Sequence, residues 1–402
     1  MTTPTLHDQQ DRFELNPFED TVLHQLLVRT NRLQALPALV IVGVIAVLTL
    51  IVGLVWVQQP GRDANGLIAA AAFALTAGVN WLSLLLLPRA GRSFGPDKPS
   101  ALALALLFGL LLVIFGLLNA PLALMLIVLA AITGLAVYAT WIEPFALGVT
   151  RERYASAAWA GAPLRVLHIS DLHLERRTRR EDRLNALIAE LEPDVIVFTG
   201  DFVNISYTFD AQAEADIRAV ISGWRAKYGT YCVPGTPVVE PPERVRAFTH
   251  GLENITVLNN RWVTITTGDG DQLHILGMIT THDMAADRAA LATMMASAPG
   301  DGVRLQIMHT PDLAPEAADA GLDLYFAGHT HGGQIRLPVI GAVFSASHLG
   351  MRFVMGRKPA GGLTVYTSRG VGLEGLGAPR ARLLCPPEII LWEISGAAAE
   401  RA

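Results

Sequence analysis

Six side chains of metal-ligating type stand in four short patterns in the latter part of the chain. Asp171 and His173 lie in His-Ile-Ser-Asp-Leu-His, and Asp201 lies in Phe-Thr-Gly-Asp-Phe. His309 lies in Ile-Met-His-Thr-Pro, and His329 and His331 lie in Phe-Ala-Gly-His-Thr-His-Gly-Gly. The Asp-x-His and His-x-His spacings put alternate side chains on one side of an extended segment. Mixed carboxylate and imidazole donors suit Mn, Fe or Zn rather than a soft-metal site. A carboxylate such as Asp201 can bridge two ions about 3.5–4 Å apart, the arrangement that clamps attacking and leaving oxygens in phosphoryl transfer. Any one of these histidines alone reads as an ordinary polar side chain, whereas the set together points to a metal site. Gly200, Gly328, Gly332 and Gly333 fit sharp turns that let backbone approach an ion.

Each pattern closes a short apolar run with the character of a strand: 164–170, 195–199, 304–308 and 324–327. Helical spacing over 179–192 and 211–228 separates the first two strands from a third at 230–233, a βαβαβ opening that implies a covered sheet. Further strands are expected at 255–258, 262–267, 272–278, 334–337, 363–367 and 389–394, with a turn at Gly268-Asp269-Gly270-Asp271. Helices are expected at 285–297 and 312–320. The carboxyl ends of strands in open α/β sheets converge on the ligand crevice, so this architecture delivers all six side chains to one place.

These residues resemble the calcineurin-like metallophosphoesterases over 164–395, with Asp171-Leu-His173, Gly200-Asp201, His309 and Gly328-His329-Thr-His331 in family order. Gly332-Gly333-Gln334-Ile335, Ser368-Arg369-Gly370-Val-Gly372 and Cys385-Pro-Pro-Glu388 are similar to a membrane-associated bacterial branch, some of whose members cleave phosphodiester or pyrophosphate bonds in lipid-linked substrates. The resemblance implies a four-layer αββα sandwich and two divalent metal ions. It implies one ion on Asp171, His173, Asp201 and His331, a second on Asp201, His309 and His329, and attack on phosphorus by a metal-activated hydroxide.

One stretch departs from the family pattern. Where the family carries Gly-Asn-His-Asp/Glu, this chain reads Val233-Pro234-Gly235-Thr236-Pro237-Val238. Thr236 stands at the place of a ligating Asn, so the second ion is expected to bind more weakly. Pro237 stands at the place of the His that protonates the leaving oxygen, and proline transfers no proton. A positioned acid contributes about 10²–10⁴-fold, so turnover should fall by that factor unless the leaving group is already good. His168, His250, His274, His282 and His348 could supply a proton instead, but none is singled out, because core and surface histidines are far commoner than replacement catalysts. Arg336 and Arg369 are better read as solvated arginines than as phosphate contacts.

Before all of this the chain is of another kind. It has 402 residues, 51% hydrophobic and 17% charged, against about a quarter charged in a typical soluble domain. The apolar excess sits in four runs at 36–57, 67–87, 101–118 and 121–142, free of Asp, Glu, Lys and Arg. Each is about 20 residues, enough to cross a hydrocarbon core. Gly43, Gly53, Gly78, Gly109, Gly116 and Gly134 suit close helix approach in lipid. The expected division is a cytoplasmic tail at 1–35, four transmembrane helices at 36–142, a connector at 143–163, the phosphoesterase domain at 164–395 and a tail at 396–402. Arg12, Arg29, Arg32, Arg89, Arg92, Lys98, Arg151 and Arg153 flank the runs on one side, which places both termini and the catalytic domain in the cytoplasm.

A net charge of −5 argues against a nucleic-acid partner. Cys232 and Cys385 form no CxxC pair, which excludes a disulfide framework or a cysteine-built zinc site. The absence of ionisable residues within the four runs weighs against a transport path. Two readings remain: a membrane-anchored metallophosphoesterase acting on a phosphorylated, lipid-linked substrate, or a weakened or silent module of the same fold with a binding or regulatory role.

Overall fold

The computed structural model describes residues 22–58 and 63–397. Most of the tail expected at 1–35 lies outside them, but its last part is helical: α1 spans Val22–Asn31 and a 3-10 turn follows at Arg32–Ala35. The tail expected at 396–402 lies outside the described residues from 398 onward.

The four apolar runs are helices: α2 (Ala38–Val57), α3 (Asp63–Arg89), α4 (Asp97–Leu117) and α5 (Leu122–Val137), the last continued by a π turn at Tyr138–Ile142. All four are long and apolar enough to cross a membrane. Their shared seam contains Val52, Trp56, Phe73, Phe108, Leu112 and Leu129, and Trp56 Nε1 donates to the Leu112 carbonyl at 2.9 Å. Leu39, Leu50, Leu67, Leu75, Leu110 and Ile127 are exposed. Apolar side chains on the outside as well as the inside are what a lipid solvent requires. Gly53 and Gly116 lie where a Cβ would press on a neighbouring helix, whereas Gly43, Gly78 and Gly134 face open space. Only part of the expected glycine set therefore serves close packing.

Contacts divide the chain between Ile142 and Glu143, with Gly375–Ala381 grouped with the helices. The second unit holds two six-stranded sheets. The first has the order β1-β14-β2-β3-β4-β5, formed by β1 (Gly148–Ser156), β2 (Leu164–Ile169), β3 (Val195–Phe198), β4 (Thr230–Cys232), β5 (Ile255–Val257) and β14 (Glu388–Gly396). The second has the order β12-β13-β9-β8-β7-β6, formed by β6 (Arg261–Thr266), β7 (Gln272–Gly277), β8 (Val303–Ile307), β9 (Leu324–Ala327), β12 (Gly356–Ala360) and β13 (Leu363–Thr367). A small hairpin pairs β10 (Arg336–Leu337) with β11 (Gly341–Ala342).

The stretch 143–163, expected as a connector, contains β1. This edge strand runs parallel to β14 over nine residue pairs, Gly148↔Glu388 to Ser156↔Gly396. Its sequence, Gly-Val-Thr-Arg-Glu-Arg-Tyr-Ala-Ser, is too polar to announce a strand, because an edge strand buries little and takes its pairing from a distant partner. β12 (Gly-Arg-Lys-Pro-Ala) is a second polar edge strand that the sequence pattern does not announce.

The sheets pack face to face. Strand alternation sends Val195 and Val197 of β3 into the inter-sheet core with Val166, Ile275, Leu305, Ile307, Phe326 and Trp392. Phe198 instead faces outward onto Trp224, ring centroids 5.6 Å apart. Helices α6 (Arg179–Leu191) and α7 (Ala211–Ile221) belong to the layer outside the first sheet. A Thr178–Glu181 capping box starts α6. On the second sheet, Leu291 of α9 (Met284–Met295) and Ala314 and Ala317 of α10 (Ala314–Asp319) pack with Leu276, Tyr325 and Val365. A short helix α8 (Pro242–Thr249) precedes β5. The result is the expected four-layer αββα sandwich.

Candidate metal centre

Strands β2, β3, β8 and β9 all end at the same edge of the sandwich, and the six expected side chains follow them directly. They form two groups able to hold a metal ion: Asp171, His173 and His331, and Asp201, His309 and His329. Within each group the donor atoms lie within 4.8 Å of one another. His173 Nε2 and His331 Nε2 are 2.8 Å apart, and His329 Nδ1 is 3.1 Å from His309 Nε2. Asp201 joins the groups, its Oδ2 3.4 Å from His173 Nε2 and 3.2 Å from His309 Nε2.

The backbone is unusual at these positions. Asp171, His173, Asp201, His329 and His331 all have positive φ, between 39° and 68°. Such a conformation is uncommon outside glycine and is retained at functional sites where the surroundings enforce it. It turns the chain sharply at the strand end and aims the side chain back across it. His309 is the one member of the six in ordinary backbone conformation.

Neighbouring groups fix the donor geometry. The Thr199 carbonyl is 2.7 Å from His309 Nδ1, which reserves Nε2 for the centre. Glu374 does the same for His173, 2.9 Å from Nδ1. Such partners orient ligating imidazoles and raise their basicity. Ser170 Oγ donates to Asp171 Oδ2, and the His329 N–H donates to Asp171 Oδ1 at 3.0 Å. The buried Glu240 accepts from the N–H groups of Asp201, Phe202, Val203 and Gly235, pinning the turn that carries Asp201. Glu240 and Glu374 carry no signal in the sequence pattern, since each acts from a loop remote from its target.

The side chains of the centre carry opposed charges. Burial would raise Asp171 and Asp201, but the surrounding histidines overcome it and hold both carboxylates well below their ordinary range. Burial likewise opposes protonation of His309, yet Asp201 lifts it to about 9. Burial lowers His329 to about 4 and His331 to about 3. Glu240 rises to about 7 through burial and the charge of Asp201. Two carboxylates and four imidazoles with converging donors fit divalent cations of the Mn, Fe or Zn type.

The altered loop also reaches the centre. The Thr236 N–H donates to Asp201 Oδ1 at 2.7 Å. Its Oγ1 lies 3.3 Å from both Asp201 Oδ2 and His309 Nε2. Thr236 therefore occupies a place beside the second group, while Pro237 follows it with no titratable atom. Of the other histidines, His282 brings its ring to 5.5 Å from that of His329. His168 stacks on Phe326 and meets Thr199 Oγ1 at 3.0 Å. His274 is held between Thr264 and the Asp301 carbonyl. Arg369 is not solvated as expected, because its Nη2 pairs with buried Glu388 at 2.6 Å. Arg336 donates to the Gly332 carbonyl at 2.9 Å.

The sequence model of the family described as Calcineurin-like phosphoesterase matches residues 164–235. The chain is similar to Phosphodiesterase YaeI of Escherichia coli (strain K12), 30% identical over 262 residues that cover 64% of this chain and 92% of that protein. It is similar to Uncharacterized metallophosphoesterase YkuE of Bacillus subtilis (strain 168), 26% identical over 273 residues, 64% of this chain and 88% of that one. UDP-2,3-diacylglucosamine pyrophosphatase LpxG of Chlamydia trachomatis is 24% identical over 314 residues, covering 63% and 91%.

Proposed function

The chain belongs to the calcineurin-like phosphoesterase family, and from that premise we propose that it is a membrane-anchored hydrolase of phosphodiester or pyrophosphate bonds in a lipid-linked substrate. The observation that carries the reading is the convergence of two carboxylates and four imidazoles at the strand ends, five of the six on left-handed backbone. Asp171, His173, Asp201 and His331 would hold one ion, and Asp201, His309 and His329, with Thr236 beside them, the other. Bound ions at such a site activate a water molecule and neutralise phosphate charge.

The chain's own groups define the rest. Asp201 is held between the two groups by the Thr236 N–H and by the loop that Glu240 pins. Thr199 and Glu374 keep Nε2 of His309 and His173 turned inward. Pro237 supplies no proton to a departing oxygen, so the site suits a leaving group that departs as a weak base. A pyrophosphate meets that condition better than an alkyl ester. The name of the LpxG relative, a UDP-2,3-diacylglucosamine pyrophosphatase, supports both the bond type and a lipid-bearing substrate. The distribution of Arg and Lys around the four candidate spans supports catalysis on the cytoplasmic face.

The same Thr236-Pro237 pair favours a second reading, a fold retained for binding with little turnover. Mn²⁺-dependent hydrolysis of an aryl phosphodiester and of a lipid pyrophosphate by the detergent-solubilised full chain separates the two, with Asp201→Ala as the blank. Turnover above the blank is expected. Activity equal to the blank in a folded, metal-loaded protein would replace the first reading by the second.

A further inference from the structure

The unit carrying the candidate centre buries its large apolar side chains with one concentrated exception. Among the described residues, its exposed large hydrophobics are Leu337, Val339, Ile340, Val343, Phe344, Met351 and Leu384. Six of the seven lie within 337–351, the β10–β11 hairpin and the segment after it. Leu384 belongs to the same place, because Ile335 bridges Leu383 and the Arg336 N–H donates to the Leu383 carbonyl at 2.9 Å. Scattered single exposed hydrophobics are ordinary, but a contiguous patch marks an interaction surface.

The hairpin tip is built to hold apolar groups outward. Ile340 N–H donates to the Pro338 carbonyl at 2.8 Å across Val339, whose φ is 69°. That tight three-residue turn is strained, more so for a β-branched residue. It leaves Val339 fully exposed and Ile340 73% exposed. Over 336–352 the chain has Arg336, His348 and Arg352 and no Asp or Glu. The neighbouring carboxylates of Asp312 and Glu143 are buried and accept from Ser347, His348 and Leu384. The exposed apolar side chains thus have basic residues and no exposed acid in their own segment, which fits the headgroup region of an anionic bilayer. The bilayer is also the surface this unit meets at highest local concentration, since two residues separate the last candidate span, ending at Phe145, from β1.

The hairpin is coupled to the centre at its base. It begins five residues after His331, and a Cβ on Gly333 would lie 2.5 Å from Ala342 Cβ and 2.9 Å from the Phe344 carbonyl. The glycine turn after the His pair is thus packed directly on the hairpin.

We propose that the 337–344 hairpin, with Met351 and Leu384 at its flank, inserts into the surface of an anionic bilayer and so holds the glycine turn after His331, on which it packs, near the headgroup level. This does not depend on which phosphorylated substrate is cleaved, and its test reads no activity. Spin labels are placed by Val339→Cys, Ile340→Cys and Val343→Cys in the full chain, in phosphatidylcholine–phosphatidylglycerol vesicles. Cys232 and Cys385 are buried and stay unlabelled. Ala292→Cys, exposed on α9, is the aqueous control. At the three hairpin sites, collisions with oxygen, which concentrates in lipid, should exceed collisions with a water-soluble nickel chelate, the reverse of the control. The control's order at the hairpin overturns the proposal. So does exclusion of both reagents with spin–spin broadening, which would assign the patch to a second copy of the chain. Adding Val339→Asp and Ile340→Asp should return the Val343→Cys label to the aqueous order. A label that stays in lipid would refute these side chains as the inserting element.

Discussion

Gly235→Ala tests the placement of Asp201 with the smallest possible change. Gly235 has ordinary negative φ, so the substitution adds no backbone strain. Its new Cβ would lie 2.0 Å from Asp201 Oδ1 and 2.3 Å from the Asp201 nitrogen. To restore an ordinary contact of about 3.5 Å the carboxylate must retreat by roughly 1.5 Å and the Asp201 backbone by about 1 Å. Metal ligation tolerates displacements of about 0.2 Å, so the carboxylate shared by both groups would leave both. A misplacement of about 1 Å costs roughly 10²-fold in rate, and two weakened ions add to that. Overpacking costs about 1–3 kcal/mol against a total stability of about 5–15 kcal/mol, so the domain stays folded. The assay is metal content by mass spectrometry alongside aryl phosphodiester turnover, with melting by circular dichroism. Gly268→Ala, which meets nothing within 4 Å, is the control. Two ions per chain with turnover within about threefold of the parent would refute the geometry, because the loss argued from it is about 10²-fold.

Restoring an acid by Thr236→Asn with Pro237→His should raise hydrolysis of an alkyl phosphodiester by about 10²–10⁴-fold and that of a nitrophenyl ester far less. Equal gains on both leaving groups in side-by-side kinetics would mean that proton transfer is not what Pro237 lacks. His309, raised to about 9 beside Asp201, carries a proton at neutral pH that an incoming ion must displace. Affinity of the Asp201–His309–His329 group should therefore rise about tenfold per pH unit between 7 and 9, and His173, which Glu374 holds protonated against burial, makes the other group pH-dependent in the same direction. Calorimetry in buffers of different ionisation enthalpy should show proton release, and a pH-independent affinity would contradict it. In the metal-free chain the same raised value stabilises the fold fully below pH 6.5, and this contribution is lost as pH rises through 9. A melting temperature that falls over that window is the expected trace. Glu374→Gln removes the charge behind His173 Nδ1 and should lower metal affinity about 10–100-fold with the circular dichroism spectrum unchanged. Equilibrium dialysis showing parental affinity would exclude an orienting role.

Much of this was legible in the residues themselves. Val195, Val197 and Phe198 form an apolar run, and a short apolar run between turn residues specifies a buried strand wherever it is placed. Ligand-type residues closing four such runs specify a common edge, because parallel strands point their carboxyl ends the same way. The four helices follow equally directly from apolar runs of about 20 residues free of Asp, Glu, Lys and Arg, with charges confined to the helix ends. Edge strands are a different matter. β1 is polar and exists because the distant β14 offers it an unpaired row of hydrogen-bonding groups, whereas β12, also polar, is the outer arm of a hairpin with β13 and takes its pairing from that neighbour.

The roles of single residues divide on the same line. Asp171, His173, Asp201, His309, His329 and His331 announce themselves by type and spacing, and Pro237 at the place where the resembled family carries its acid is read from the chain alone. That Glu240 pins the Asp201 turn and Glu374 turns His173 depends on loops brought together by the closed sandwich. So does the gathering of Leu384 with a hairpin some 40 residues earlier. Spacing along the chain records only what local geometry imposes, through the period of a strand or the reach of a turn. Which carboxylate stands behind which imidazole, and which apolar side chains are left facing outward, is decided by long-range packing.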